Sequence, residues 1–242
     1  MIYHFDTLGS TNDEAQSEKY NHGDLIVAER QTAGRGQRGH TWISGEGLNL
    51  TLSAIVTPVE LDIRRQFLVS QASALAICDM LRSNGLDARI KWTNDIYIGD
   101  RKIVGILIEN RVCAGQIARS IVGIGLNINQ VLFDPSLPNP TSMALEVGTL
   151  FDRETVLAQL SKALNSRFEQ LANDPQGVGE EYRSLMYRRD ELHTYRLKSG
   201  ELRVGSIRGV EYSGELLIEW ANGEKGAYLF GEVEFIIESR KR

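Results

Sequence analysis

The sequence predicts a mixed α+β protein in which a larger α/β unit is followed by a small β barrel. Three observations carry that prediction. Residues 62–84 and the segment after Asp152 hold apolar residues at helical spacing. Several shorter runs alternate as half-buried strands do. From His193 onward no helical period remains, and short β-rich runs are punctuated by Ser199-Gly200, Ser213-Gly214 and Asn222-Gly223. The boundary is expected near Arg188-Arg189-Asp190, dividing the chain into residues 1–188 and 189–242.

At 242 residues the chain is long enough to bury roughly 70% or more of its unfolded surface, so no metal or disulfide is needed to hold it. Hydrophobic residues make up 42% and charged residues 24%, which excludes disorder, collagen and coiled coil. The net charge of -5 argues against a surface built for nucleic acid. Cys78 and Cys113 both sit among apolar residues and read as buried thiols. His4, His22, His40 and His193 are too scattered for a metal site. The first residues have neither a basic nor an apolar signal region, and no apolar stretch is long enough to span a membrane. A reducing cytoplasm is the expected compartment.

Taken in order, Thr11-Asn12-Asp13-Glu14 has the form of a capping box, with Thr11 as cap and a short helix running to about Tyr20. Leu25-Ile26-Val27-Ala28 reads as a strand. Residues 31–47 are polar and glycine-rich, long for a loop in a compact unit. Leu48, Leu50, Leu52, Ala54 and Val56 alternate with Asn49, Thr51 and Ser53, as in a half-buried strand. The helix over 62–84 is apolar on nearly every side and stops at Gly85. Residues 88–98 and 102–109 flank the hairpin signal Gly99-Asp100. Residues 120–128 form another β run, 131–140 a loop with three prolines, and Asp152 caps the second helix.

Four motifs carry chemistry. Gly34-Arg35-Gly36-Gln37-Arg38-Gly39 matches the letters of a dinucleotide fingerprint, but no helix opens after it and no acid follows at the required distance. The better reading is a flexible loop whose arginines clamp carboxylate or phosphate oxygens; a solvated surface loop is the competing one. Trp42, just beyond, either stacks on a flat base or fills core. Lys91-Trp92-Thr93-Asn94-Asp95 places a lysine in a segment of strand character, facing either solvent or a pocket for oxyanions. Gly123 and Gly125 interrupt a strand, which marks a bulge or the close approach of a ligand, and Asn127 can read an adenine edge or serve a turn. Ser10-Thr11-Asn12 can bind a polar ring besides capping a helix.

Together and in this order, these motifs resemble the signatures of the biotin protein ligases. Arg101-Lys102-Ile103-Val104-Gly105-Ile106-Leu107 and Gly231-Glu232-Val233 add to the resemblance, which covers essentially the whole chain. It implies a mixed sheet flanked by helices, similar to class II aminoacyl-tRNA synthetases, and a C-terminal SH3-like barrel. Because the Ser-Thr-Asn motif lies within the first twelve residues, the monofunctional type without a DNA-binding domain is expected.

By the same resemblance, Lys91 and Arg35 would be catalytic, with Lys91 bridging the biotin carboxylate and the α-phosphate. Biotin would be bound by Ser10, Thr11, Asn12, Gln31, Gly34, Arg35, Gly36, Gln37, Lys91, Gly123 and Gly125. Arg35, Arg38, Gly39, Trp42, Asn127 and Glu232 would meet the nucleotide. No protein metal site is implied; Mg²⁺ would be held mainly by ATP. The expected reaction is formation of biotinyl-5'-AMP and transfer of biotin to a lysine of a biotin carboxyl carrier protein, by a monomer or homodimer. The loop departs from the common Gly-Arg-Gly-Arg at Gln37, which bears on retention of the adenylate. Thr93 stands where the family has proline and is expected to keep the backbone extended. A lipoate or octanoate ligase shares the fold and chemistry, but the polar Ser10–Asn12 cluster and Gln31 suit a ureido ring. A non-catalytic ligand sensor is the alternative of another class.

Overall fold

A computed structural model describes residues 1–58 and 60–237, leaving aside the side chain of Arg38. The chain runs β1 (Ile2–Leu8), α1 (Thr11–Glu14), β2 (Leu25–Gln31), β3 (Leu50–Val56), α2 (Phe67–Ser83), β4 (Ala88–Lys91), β5 (Asp95–Ile98), β6 (Arg101–Cys113) and β7 (Gln116–Leu126). It continues through α3 (Met143–Val147), α4 (Arg153–Asn173) and α5 (Pro175–Ser184). It ends with β8 (Leu192–Leu197), β9 (Leu202–Val210), β10 (Leu216–Trp220), β11 (Lys225–Tyr228) and β12 (Val233–Phe235). The first seven strands form one mixed sheet in the order β1-β2-β3-β7-β6-β5-β4, with β1 parallel to β2 and the other pairings antiparallel. The last five form an antiparallel sheet, β11-β10-β9-β8-β12. The mixed α+β class and a C-terminal run of β strands are therefore as the sequence predicts.

The two faces of the large sheet differ. Leu50, Leu52, Ala54 and Val56 of β3 join the main core with the buried residues of α2 and α4. On the opposite face, Ile26, Ile55 and Ile121 pack with Ala15 and Tyr20 in a smaller cluster. This second face carries α1 and the main cavity. The polar positions of β3 point there too, so Thr51 and Ser53 are buried rather than solvent-facing as plain alternation suggests.

Helix α2 begins at Phe67, five residues later than expected, because the Asp62 side chain accepts from Arg64 N and winds residues 63–65 into a separate 3₁₀ turn. Asp152 accepts from Thr155 N and caps α4 as expected. Cys78 is fully buried, and burial pushes its thiol up to about 12; Cys113 lies exposed at the end of β6, contrary to its apolar neighbours in sequence.

Candidate active site

One cavity of about 710 Å³ lies on the second face of the large sheet. Its walls are α1, the loop after β2, strands β3, β6 and β7, the β4–β5 turn and the segment around β12. Of the residues singled out in the sequence, Ser10, Thr11, Asn12, Gln31, Arg35, Gly36, Gln37, Trp42, Lys91, Gly123 and Gly125 line it.

One end of the cavity is lined by neutral polar side chains, most of them tied together by hydrogen bonds. Ser10, not Thr11, is the helix cap, and no side chain caps α1. Thr11 is diverted instead toward the cavity wall. Its amide donates to Gln31 Oε1 at 2.7 Å and its hydroxyl to the same oxygen at 3.1 Å. Ser53 Oγ lies 2.8 Å from Thr11 Oγ1 and 2.6 Å from Asn12 Oδ1, and Asn12 Nδ2 donates to Glu109 Oε2 at 2.8 Å. Serine, threonine, asparagine and glutamine thus present donors and acceptors with no net charge among them, which suits a polar neutral ring. Ser53 is a contributor the sequence did not single out; its place at an inward polar position of β3 was the available signal.

The middle of the cavity is cationic. Lys91 and Asp95 are register partners across the β4–β5 hairpin, which leaves residues 92–94 to close the turn. Thr93 lies within that turn, and the Trp92–Thr93 peptide bond is cis. Lys91 Nζ sits 3.7 Å from Asp95 Oδ2, 5.4 Å from the Tyr97 ring centre and 4.9 Å from that of Phe235. Burial pushes the Lys91 ammonium below its ordinary pKa, and Asp95 opposes the shift. Lys102 Nζ lies 2.7 Å from Asp95 Oδ1, so two ammonium groups share one carboxylate. That leaves an uncompensated positive charge where an anion would sit. Neither Lys102 nor Phe235 is marked as a site residue by the sequence: Lys102 lies within a β-strand motif, and Phe235 carries no local signal.

Arg35 reaches across the mouth, with Nη2 2.6 Å from Asp13 Oδ1 and 3.2 Å from Glu109 Oε2. Trp42 lies flat over β6 and β7. A Cβ on Gly125 would stand 2.1 Å from the indole and one on Gly105 2.9 Å, while one on Gly123 would stand 2.4 Å from Asn12 Oδ1. These strand glycines therefore make room for side chains that build the site. They do not mark a bulge, since β7 pairs with both β3 and β6 without interruption from Ser120 to Leu126. Trp42 Nε1 is buried and has no hydrogen-bond partner among the described residues.

Four residues named from sequence do not line the cavity. Gly34 is packed against the Trp42 carbonyl, and Gly39 is the last residue of the 3₁₀ turn 37–39. Asn127 is buried and its Nδ2 donates to the Thr141 carbonyl at 3.0 Å, tying β7 to the loop before α3. Glu232 accepts from Leu229 N at 2.8 Å and holds the turn before β12, leaving its neighbours Phe230, Gly231 and Val233 on the wall. The Arg38 side chain lies outside the described residues.

A family model described as the biotin/lipoate A/B protein ligase family matches residues 5–127, half of the chain. The chain belongs to that family. Among relatives within it, the bifunctional ligase/repressor BirA of Escherichia coli is 33% identical over 214 residues, 84% of this chain and 65% of that protein. The biotin–[acetyl-CoA-carboxylase] ligase of Mycobacterium tuberculosis is 28% identical over 222 residues, 87% of this chain and 80% of the other. The chain thus spans less than two thirds of the length of the E. coli relative. The family fold extends over both sheets. The biotin protein ligase of Aquifex aeolicus, solved with biotin and ATP, superimposes with a TM-score of 0.82 at 24% identity, covering 98% of this chain and 99% of that one.

Proposed function

We propose that this chain makes biotinyl-5'-AMP from biotin and ATP and transfers the biotinyl group to a lysine of a biotin carboxyl carrier protein. The observation that carries the reading is the polarity of the cavity described above, which passes from a neutral hydrogen-bonding end to a cationic middle. Biotin has the same profile, a ureido ring at one end and a carboxylate at the other.

The ring would meet Ser10, Thr11, Asn12, Gln31 and Ser53. The carboxylate would lie by Lys91 and Lys102. In the first step a carboxylate oxygen attacks the α-phosphorus and pyrophosphate leaves. Two anions must meet, so the ammonium groups act by electrostatic stabilisation of the crowded charge. Arg35 would exchange Asp13 and Glu109 for ligand oxygens as its loop closes, keeping the mixed anhydride from water. Trp42 offers a flat surface for adenine. In the second step the acceptor lysine amine attacks the acyl carbon and AMP leaves. Mg²⁺ would enter with the triphosphate.

The division at residues 188 and 189 is part of the proposal. The first unit supplies the polar and cationic groups, and the second brings Phe235 and Ile237 to the wall. The compartment proposed is the cytoplasm, consistent with the absence among the described residues of any helix long and apolar enough to cross a membrane.

Incubation with ATP, Mg²⁺ and either biotin or lipoate, followed by mass spectrometry, tests the reading. Biotinyl-5'-AMP is the expected product. Lipoyl-AMP would reassign the chain to the sister activity, and ligand binding without any adenylate would make it a sensor.

A further inference from the structure

Strand β7 presents one face to the second side of the sheet, and its residues there are Arg119, Ile121, Gly123 and Gly125. Gly125 receives Trp42, Gly123 receives Asn12, and Ile121 packs with Ala15 and Tyr20. Arg119 completes the row. Its guanidinium is buried, with Nη2 donating to the carbonyls of Ala15 at 2.9 Å and Ser17 at 3.1 Å, and Nη1 donating to the carbonyl of Tyr20 at 3.1 Å. Glu18 is the nearest carboxylate in a salt bridge with it, 3.9 Å away. Arg119 does not line the cavity.

These carbonyls belong to the chain that leaves α1. The helix is a single turn, too short to hold its own shape in water. The turn that follows takes up the carbonyls of Thr11, Asp13 and Glu14, and one planar guanidinium takes up those of Ala15, Ser17 and Tyr20, just beyond the helix, together. The side chains at the front of the same turn, Thr11 and Asn12, form the neutral end of the cavity.

We infer that Arg119 is a positioning residue for the ring end of the acyl substrate: it holds the exit of α1 from behind so that Thr11 and Asn12 meet the ligand in one orientation. This rests on the biotin reading above. A purely structural arginine would affect stability or the active fraction. A positioning role acts on one substrate only, because the cationic middle and Trp42 are carried by other elements.

The test is steady-state adenylate formation by the full chain with Arg119→Gln and Arg119→Lys, varying biotin and ATP separately, with thermal melting of each variant. Arg119→Gln is expected to raise the KM for biotin about tenfold or more, with kcat and the KM for ATP within about twofold of wild type. Arg119→Lys keeps the charge and reaches fewer carbonyls, so it should fold even where Arg119→Gln does not and show the same split to a smaller degree. Unchanged biotin KM in a folded variant, or equal changes in both KM values, overturns the inference. A wild-type chain that forms no biotinyl-adenylate overturns instead the reading beneath it.

Discussion

The two ends of the cavity are built by different physics. The ring end is a hydrogen-bond network in which Thr11, Asn12 and Ser53 are each under 5% exposed. Its geometry is set by short directional contacts from three separate chain segments. The cationic middle is held by charge, aromatic walls and burial around Lys91, with ionic contacts that tolerate movement. In the proposed reaction the first region decides which acid enters, and the second decides how fast the acid is activated. Substitutions at the ring end should therefore act on KM, and substitutions in the middle on kcat.

The largest effect is expected from Lys91→Ala. It removes the buried ammonium on which carboxylate and phosphate would converge, and adenylate formation should fall about 100-fold or more. A near wild-type rate in single-turnover measurements would remove Lys91 from its role and erase the contrast between the two ends.

Next comes Ser53→Ala, which takes one hydroxyl from the network that orients Thr11 and Asn12. The KM for biotin should rise about tenfold with kcat little changed, the loss of roughly one hydrogen bond to a buried group. A fall in kcat at constant KM would show that the ring end also serves the chemistry.

Asp95→Asn sharpens the comparison by pH. Burial already lowers the Lys91 pKa, and Asp95 is the group that raises it. The active form carries the proton, so activity is lost as pH rises through that pKa. Removing the carboxylate lowers the pKa further, and the alkaline limb of the kcat profile should move to lower pH. The facing groups are Lys102 and Arg188, both cationic, and the rings of Tyr97 and Phe235; the cations push in the same direction. A limb that stays in place would mean another group titrates.

The smallest effect belongs to the mouth. Arg35 and Asp13 are 44% and 61% exposed, and a pair so placed contributes about 1 kcal/mol or less. Asp13→Asn should leave the melting temperature nearly unchanged and, by removing a contact that Arg35 gives up on closing, favour the closed loop, seen as slower exchange of bound adenylate in a chase experiment.

Local features were legible where their cause is local. Asp152 announces α4 because its carboxylate can reach an amide three residues on. Gly200, Gly214 and Gly223 mark turns of the C-terminal sheet because each has a positive φ. Strand β1 was passed over: its outward residues His4 and Asp6 break an apolar run, although Tyr3, Phe5 and Leu8 pack inward. The motif residues were recognisable as a set, yet Asn127 and Glu232 lie off the cavity wall with nearby backbone partners, a placement that no spacing rule gives.

By itself the sequence determined the α+β class, the change of character near residue 189 and the identity of most of the polar and cationic groups, Ser53 and Lys102 excepted, because composition, periodicity and capping act within a few residues. Only the tertiary structure decided which of those groups meet. Ser53 joins Thr11 across 42 positions, Glu109 joins Asn12 across 97, and Phe235 reaches Lys91 from the far end of the chain. Such contacts follow from strand order and side-chain facing, and those are set by the burial of two sheet faces at once.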